Sequence, residues 1–248
     1  MKQLFEVREG SRLLRIMTRK AKNTPKGDPQ GAESESGTRE RLINAAGEVF
    51  AERGFRDATV REICAAAGAN VAAVNYHFGD KDGLYHAVMR YAHGLARERY
   101  PVEMPGDRDP ETQLRYFISG LLARMLDEGR PAWHGKLMLR EMVEPTTALA
   151  MLVDESVRPS YLMLAQMVAE LLDGDDADSP RVRMVCNSIV GQCFMYKHCQ
   201  PMLRLIGTVR PEITPQADLA AHIAEFSLAA ISGLRQSRRK PARTGAKK

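Results

Sequence analysis

Cysteine is scarce: Cys64, Cys186, Cys193 and Cys199 are the only four in 248 residues, and no two of them form a Cys-x-x-Cys pair. That spacing excludes a disulfide scaffold and a zinc ribbon, so the four read as reduced thiols. Long apolar runs are also missing. No stretch of about 18 apolar residues occurs, and the leading MKQLFEVREG has no apolar core of the signal-peptide kind, so the expected location is cytoplasmic with no membrane partner. Strand-like alternation is nearly absent and no internal repeat is visible. There is no glycine-rich phosphate loop, no His-Glu-x-x-His, no Gly-x-Ser-x-Gly elbow and no paired-carboxylate pattern in a strand-and-loop frame. The expectation is therefore an all-α protein that is not an enzyme and takes no cofactor. The six histidines, His77, His86, His93, His134, His198 and His222, are scattered, which suits surface or capping roles better than a metal site. Cys193, His198 and Cys199 lie close together, and they leave a thiol- or metal-based redox sensor open as a reading from another class.

What is present suits a helical globular chain: 44% of residues are hydrophobic and 6% aromatic. The net charge of +5 is unevenly placed. Residues 1–36 hold eight basic and five acidic groups, and residues 235–248 hold seven basic and no acidic ones, so the chain between them carries −5. Residues 37–83 count six basic against seven acidic. Attraction to a polyanion must come from local placement or from the two ends.

The chain is organised around TVREICAAAGANVAAVNYHFGDKDGLY, residues 59–85. Thr59 and Glu62 have the spacing of a capping box, which starts a helix at Val60. Ile63, Ala66 and Ala67 give that helix an apolar face, and Gly68 can take the positive φ that ends it. Asn70 is a good N-cap for a second helix, in which Val71, Val74 and Phe78 face inward. Ala72, Ala73, Tyr76 and His77 then face outward, with Asn75 on the rim. Small exposed side chains let a short helix lie close in a DNA major groove. The pattern alone also fits a plain helical hairpin with Thr59 and Asn70 as mere caps.

The residues at these positions resemble the DNA-binding domain of TetR-type regulators. The likeness runs from Arg39 to Gly54-Phe55 and continues through Thr59, Ile63, Ala66, Gly68, Tyr76-His77-Phe78, Lys81 and Leu84. Most of that family has Tyr where this chain has Asn75, while Val74-Asn75-Tyr76-His77-Phe78 is similar to the CecR-like subgroup. The phrases LMLREMVEPT (137–146) and IVGQCFMYKH (189–198) resemble the CecR-like C-terminal domain. The resemblance implies a helix-turn-helix that contacts DNA through Thr59, Arg61, Asn70, Val71, Ala72, Ala73, Asn75, Tyr76, His77 and Lys81, with Lys81 at a phosphate-contacting position. It also implies that the helix beginning near Lys81 moves when ligand binds.

Four segments follow. Residues 1–35 form a mobile arm, 36–96 the DNA-binding domain, 105–235 an effector and dimerisation domain, and 236–248 a basic tail. The first helix spans about Thr38 to Arg53, with Leu42, Ala45, Ala46, Val49 and Phe50 on one face. Three prolines and a glycine within residues 100–110 mark the boundary between domains. Beyond them the pattern predicts a helix ended by Gly129, another opened by Pro131 and broken by Pro145, and a long one from about Thr147 to Asp173 interrupted at Pro159. A further helix covers about Pro180 to His198, and the last starts with Thr214 as N-cap and Pro215 at its first position. Thirteen methionines, several in this half, suit either plain core or an adaptable apolar pocket. The pocket reading places Trp133, Met138, Met142, Met167, Gln192 and Tyr196 around a small-molecule effector. In the last helix Leu219, Ile223, Phe226 and Ala230 make one apolar stripe, and the apolar surface passes half the circumference. One core contact cannot cover that width, which points to a second subunit. The expected protein is a homodimeric, ligand-responsive repressor on a palindromic double-stranded DNA operator. An architectural DNA-binding protein without effector is the nearer alternative.

Overall fold

A computed structural model of the chain describes residues 29–103, 106, 108–127, 131, 133–208 and 215–239. The expected N-terminal arm up to residue 28, Gly129, Thr214 and most of the basic tail lie outside the described residues. Among the described residues every regular element is helical.

Four helices make the N-terminal region: α1 (Pro29–Asp57), α2 (Val60–Ala67), α3 (Val71–Phe78) and α4 (Lys81–Arg99). The first helix begins at Pro29, well before the expected Thr38, so the last residues of the presumed arm are helical. Gly54 breaks it with φ 81 and ψ 169, a backbone that a side chain at Cβ would strain. Seven helices follow: α5 (Pro110–Leu126), α6 (Trp133–Val143), α7 (Thr147–Leu152), α8 (Arg158–Leu171), α9 (Pro180–His198), α10 (Gln200–Ile206) and α11 (Gln216–Arg239). The sequence pattern predicts no helix corresponding to α10.

The expected break at Pro159 takes another form. A π-helical turn, Val153–Val157, joins α7 to α8 just ahead of it. Proline has no N–H to offer the carbonyl four residues back, so the Glu155 carbonyl has no ordinary helical donor. It accepts instead from Arg97 of α4 at 3.3 Å. The helix is widened rather than ended.

Two cores form, and they do not follow the expected domain boundary. One joins α5, α8, α9 and α11 through Leu114, Phe117, Ile118, Leu164, Val168, Ile189 and Ile223. The other joins α1 to α4 through Leu42, Phe50, Ile63, Val74, Leu84 and Val88, and it also takes in Trp133 and Leu137 of α6 and Ala148 and Leu152 of α7. The reader's core is thus completed by residues from the second half of the chain.

A close approach between the two halves is at Gly47 of α1, where a Cβ would lie 2.2 Å from Cε2 of Trp133. Alanine normally improves a helix interior by about 1 kcal/mol over glycine. Here the indole must move, and overpacking costs about 1–3 kcal/mol. Gly47→Ala is therefore expected to lower stability in urea unfolding, and adding Trp133→Leu to recover some of the loss. A more stable Gly47→Ala protein would show that the α1–α6 contact is loose.

Candidate DNA-reading site

The helix-turn-helix is built by local capping. The Thr59 hydroxyl accepts the Glu62 N–H at 3.3 Å, and the Thr59 N–H donates to the Glu62 carboxylate at 3.1 Å. The Thr59 hydroxyl also donates to that carboxylate, and these bonds hold the Glu62 carboxyl below its usual range. Gly68 sits in the left-handed region at φ 60 and returns its N–H to the end of α2. Asn70 accepts the Ala72 N–H at 3.0 Å and starts α3. Gly79 closes α3 by donating to the Asn75 carbonyl at 3.1 Å. The capping box and both turn glycines were legible in the sequence.

On α3 only Val74 is fully buried. Ala72, Asn75 and Tyr76 are exposed, and Tyr76 is 73% accessible. Val71, expected to face inward, is 41% exposed, and Ala73, expected to face outward, packs partly against the core. The helix is rotated slightly from the expected setting. Its outward face therefore carries Val71, Ala72, Asn75 and Tyr76, with His77 half-buried beside the Tyr76 ring at 4.9 Å. Thr59, which caps α2, and Arg61 in the first turn of α2 are exposed, and Asn70 is exposed but spends its side chain as a cap.

Lys81, which the resemblance sets at a phosphate-contacting position, also makes bonds inside the protein. Its ammonium donates to the Arg56 carbonyl at 3.1 Å and to the Ala58 carbonyl at 2.9 Å, and it lies 4.7 Å from the Phe55 ring centroid. Those carbonyls belong to the chain leaving α1, so Lys81 fastens the start of α4 to the end of α1. Two of its three donors are committed inside the protein.

The links between α4 and the second half of the chain were not legible in the sequence. Glu141 of α6 is 1% exposed, and one of its oxygens accepts the Tyr85 hydroxyl at 2.6 Å. The same carboxylate accepts the N–H and the hydroxyl of Thr146, each at 2.9 Å, and Thr146 in turn caps α7. Burial first, and then Glu141, push the Tyr85 hydroxyl well above the usual tyrosine range. Arg140 donates to the Ala51 and Glu52 carbonyls of α1 at 3.1 and 2.8 Å. Arg90 of α4 grips both oxygens of Glu155 in the π turn, with separations from 2.6 to 3.2 Å. His86 of α4 meets the Thr147 hydroxyl at 2.9 Å. The pair Arg140-Glu141, which breaks the apolar run of 137–143, was the one available hint; the Tyr85 partner of Glu141 lies 56 positions away.

The expected effector residues do not line one cavity. Trp133 and Met138 belong to the reader's core, Met142 is 51% exposed, and Met167 is buried in the other core. Gln192 and Tyr196 are on α9, where Gln192 donates to Ser227 of α11 at 3.3 Å. The expected dimer residues also divide. Leu219 and Ile223 are buried within their own domain at 8% and 0%, whereas Phe226 is 60% exposed and Ala230 is exposed. Phe226, Ala230 and Leu234 of α11 face Met184, Val185 and Gln192 of α9 across a groove of 260 Å³. By length and composition Gln216–Ser237 could cross a membrane, but its inner face belongs to the core shared with α5, α8 and α9.

Comparison with known proteins agrees with this geometry. The family described as bacterial regulatory proteins, tetR family, matches residues 42–88, and the C-terminal domain of the HTH-type transcriptional dual regulator CecR matches residues 110–231. CecR of Shigella flexneri is 27% identical over 169 residues, 64% of this chain and 75% of that protein. The regulator BetI of Stenotrophomonas maltophilia is 42% identical over 85 residues, which is 33% of this chain and 42% of its own length. The fold is shared with a transcriptional regulator from Pseudomonas aeruginosa PAO1, at TM-score 0.58 and 19% identity over 86% of this chain and 96% of that one. It is also shared with the fatty acid degradation regulator FadR of Bacillus halodurans, at TM-score 0.53 and 16% identity over 82% and 96%. The chain belongs to the TetR family of transcriptional regulators, as a DNA-binding helix-turn-helix protein whose C-terminal domain is CecR-like.

Proposed function

We propose that the protein is a homodimeric repressor that binds a palindromic operator through α3 and is released by a small-molecule effector. The observation that carries ligand control is the double attachment of α4. On one side Tyr85 reaches Glu141, and on the other Arg90 and Arg97 reach the π turn. A ligand taken up among α5, α8 and α9, where Met125, Met163 and Met167 line or flank the core, would shift those attachments. The two recognition helices of a dimer must sit about 34 Å apart to enter successive major grooves. A tilt of α4 changes that spacing, and operator affinity falls. An operator partner also places the protein in the cytoplasm.

The test is site selection on random duplex DNA, then a ligand screen on the selected site, with a reporter to give the sign of regulation. A compound that binds the second domain tightly and leaves operator affinity unchanged would sink the coupling, since equal affinity for two states shifts nothing. The redox-sensor alternative is disfavoured by burial. Cys193, one of its two thiols, is fully buried, and desolvation pushes that thiol up to about 12.

Base reading rests on an α3 without Arg or Lys. Asn75 can make two hydrogen bonds to adenine, and the Ala72 and Val71 methyls can meet thymine methyls. Tyr76 and His77 suit phosphate contacts. Asn75→Ala is expected to cost about 1–3 kcal/mol on the selected site and to relax preference at one base pair. A uniform loss over all sequences would assign Asn75 to the backbone.

A further inference from the structure

The fold brings together two histidines that lie 41 positions apart in the sequence, and neither has a role in DNA reading. His93 is on α4, half-buried; His134 is on α6, 5% exposed. Met138 follows His134 by one helical turn and so shares its face. The His93 Nε2 is hydrogen-bonded to the Met138 sulfur at 3.3 Å, and the two imidazoles meet edge to face with centroids 5.1 Å apart at an interplanar angle of 74°. The Nε2 of His134 is out of contact with solvent.

These separations are short enough for the three donors to close on one ion once His93 gives up its hydrogen bond to the Met138 sulfur. Metal–nitrogen bonds of about 2.0 Å and metal–sulfur bonds of about 2.3 Å, at a tetrahedral angle, put nitrogen and sulfur about 3.5 Å apart. Two imidazoles bound through their nitrogens at the same angle have centroids about 5 Å apart. We propose that His93, His134 and Met138 form a binding site for a soft monovalent metal ion, Cu(I) or its analogue Ag(I), at the junction of α4 and α6.

The donor chemistry selects the ion. A thioether and imidazoles suit Cu(I), whereas magnesium, calcium and manganese want oxygen. Among the described residues no three of His, Cys, Asp and Glu cluster as a metal site, and the grouping proposed here is two imidazoles with a thioether. An imidazole that binds a metal does so in its neutral form, and a thioether carries no charge. A single positive charge is cheaper to hold in such a half-buried place than a double one. Arg90 and Arg97 on the same helix are both bonded to Glu155. When the ion binds His93 through Nε2, the imidazole keeps its one proton on Nδ1, so no net charge is lost from the ring. The ion would tie the helix leaving the reader to the helix that completes the reader's core.

The site stands apart from the dimer and effector readings, and copper binding measures it without DNA. Every sample carries Cys199→Ser, because that half-buried thiol could take Cu(I) by itself. Under anaerobic conditions the full chain is titrated with Cu(I) against a chromophoric Cu(I) chelator. One ion per chain is expected, with X-ray absorption showing two nitrogen neighbours and one sulfur. Met138→Leu keeps volume and apolarity and is expected to weaken Cu(I) binding by at least about tenfold. His93→Phe should weaken it further, with circular dichroism confirming that both variants fold. A parent protein that cannot compete with the chelator, an absorption spectrum without sulfur or with sulfur alone, or variants that bind as tightly as the parent would each overturn the site.

Discussion

Glu141→Ala is expected to lose about 2–5 kcal/mol of stability, from neutral donors left buried without an acceptor and from the cavity it opens. The carboxylate has no access to water, and it accepts from Tyr85 and twice from Thr146. Truncation leaves the Tyr85 hydroxyl and the Thr146 N–H buried without acceptors, at about 1–3 kcal/mol each, and opens a cavity between α4 and α6. Tyr85→Phe should be milder, about 1.5–3 kcal/mol, since it removes one bond to a charged group and leaves the other two. Urea unfolding of both variants checks the order. If Glu141→Ala costs less than about 1 kcal/mol, water already reaches this carboxylate and the link is not structural.

Phe226→Glu is expected to give a folded, soluble monomer whose operator affinity falls by about 10²–10⁴-fold, the usual loss when two linked half-site contacts become one. Phe226 is 60% exposed on a single chain, so a charge there costs the monomer little. In a symmetric pair the same charge enters an apolar seam twice, facing Met184, Ala230 and Leu234, with no partner. Ile223→Glu serves as the contrast. That side chain is 0% exposed inside its own domain, so the substitution should unfold the domain rather than separate the subunits. Sedimentation showing Phe226→Glu still dimeric would move the interface away from the α9–α11 face.

Reading the sequence located the helix-turn-helix because its signals are local. Thr59 and Glu62 are three residues apart, Gly68 and Gly79 mark turns, and Asn70 caps the helix that follows it. The second half was legible as helices for the same reason, from prolines and apolar stripes. What could not be read was which helix meets which. Trp133 and Met138 look like pocket residues by type, yet they face the reader because α6 crosses α1 at Gly47. Lys81 looks like a phosphate contact by position, and two carbonyls of the α1 terminus also lie within its reach. Leu219 and Phe226 share an apolar pattern, but the domain's own core covers only the former.

The completion of the reader's core by Trp133, Leu137, Ala148 and Leu152 bears on how such proteins diversify. A DNA-reading unit with a self-contained core could be fused to any sensor during evolution or in the laboratory. This one cannot be cut at the linker after α4 without exposing the apolar bed on which α6 and α7 lie. A chimera joining its residues 29–103 to a foreign sensor would need replacement side chains at those four positions, or the hybrid would arrive with an open core. Inheritance of operator preference and inheritance of ligand preference are in that sense tied by packing, and a lineage that exchanges one must re-fit the other.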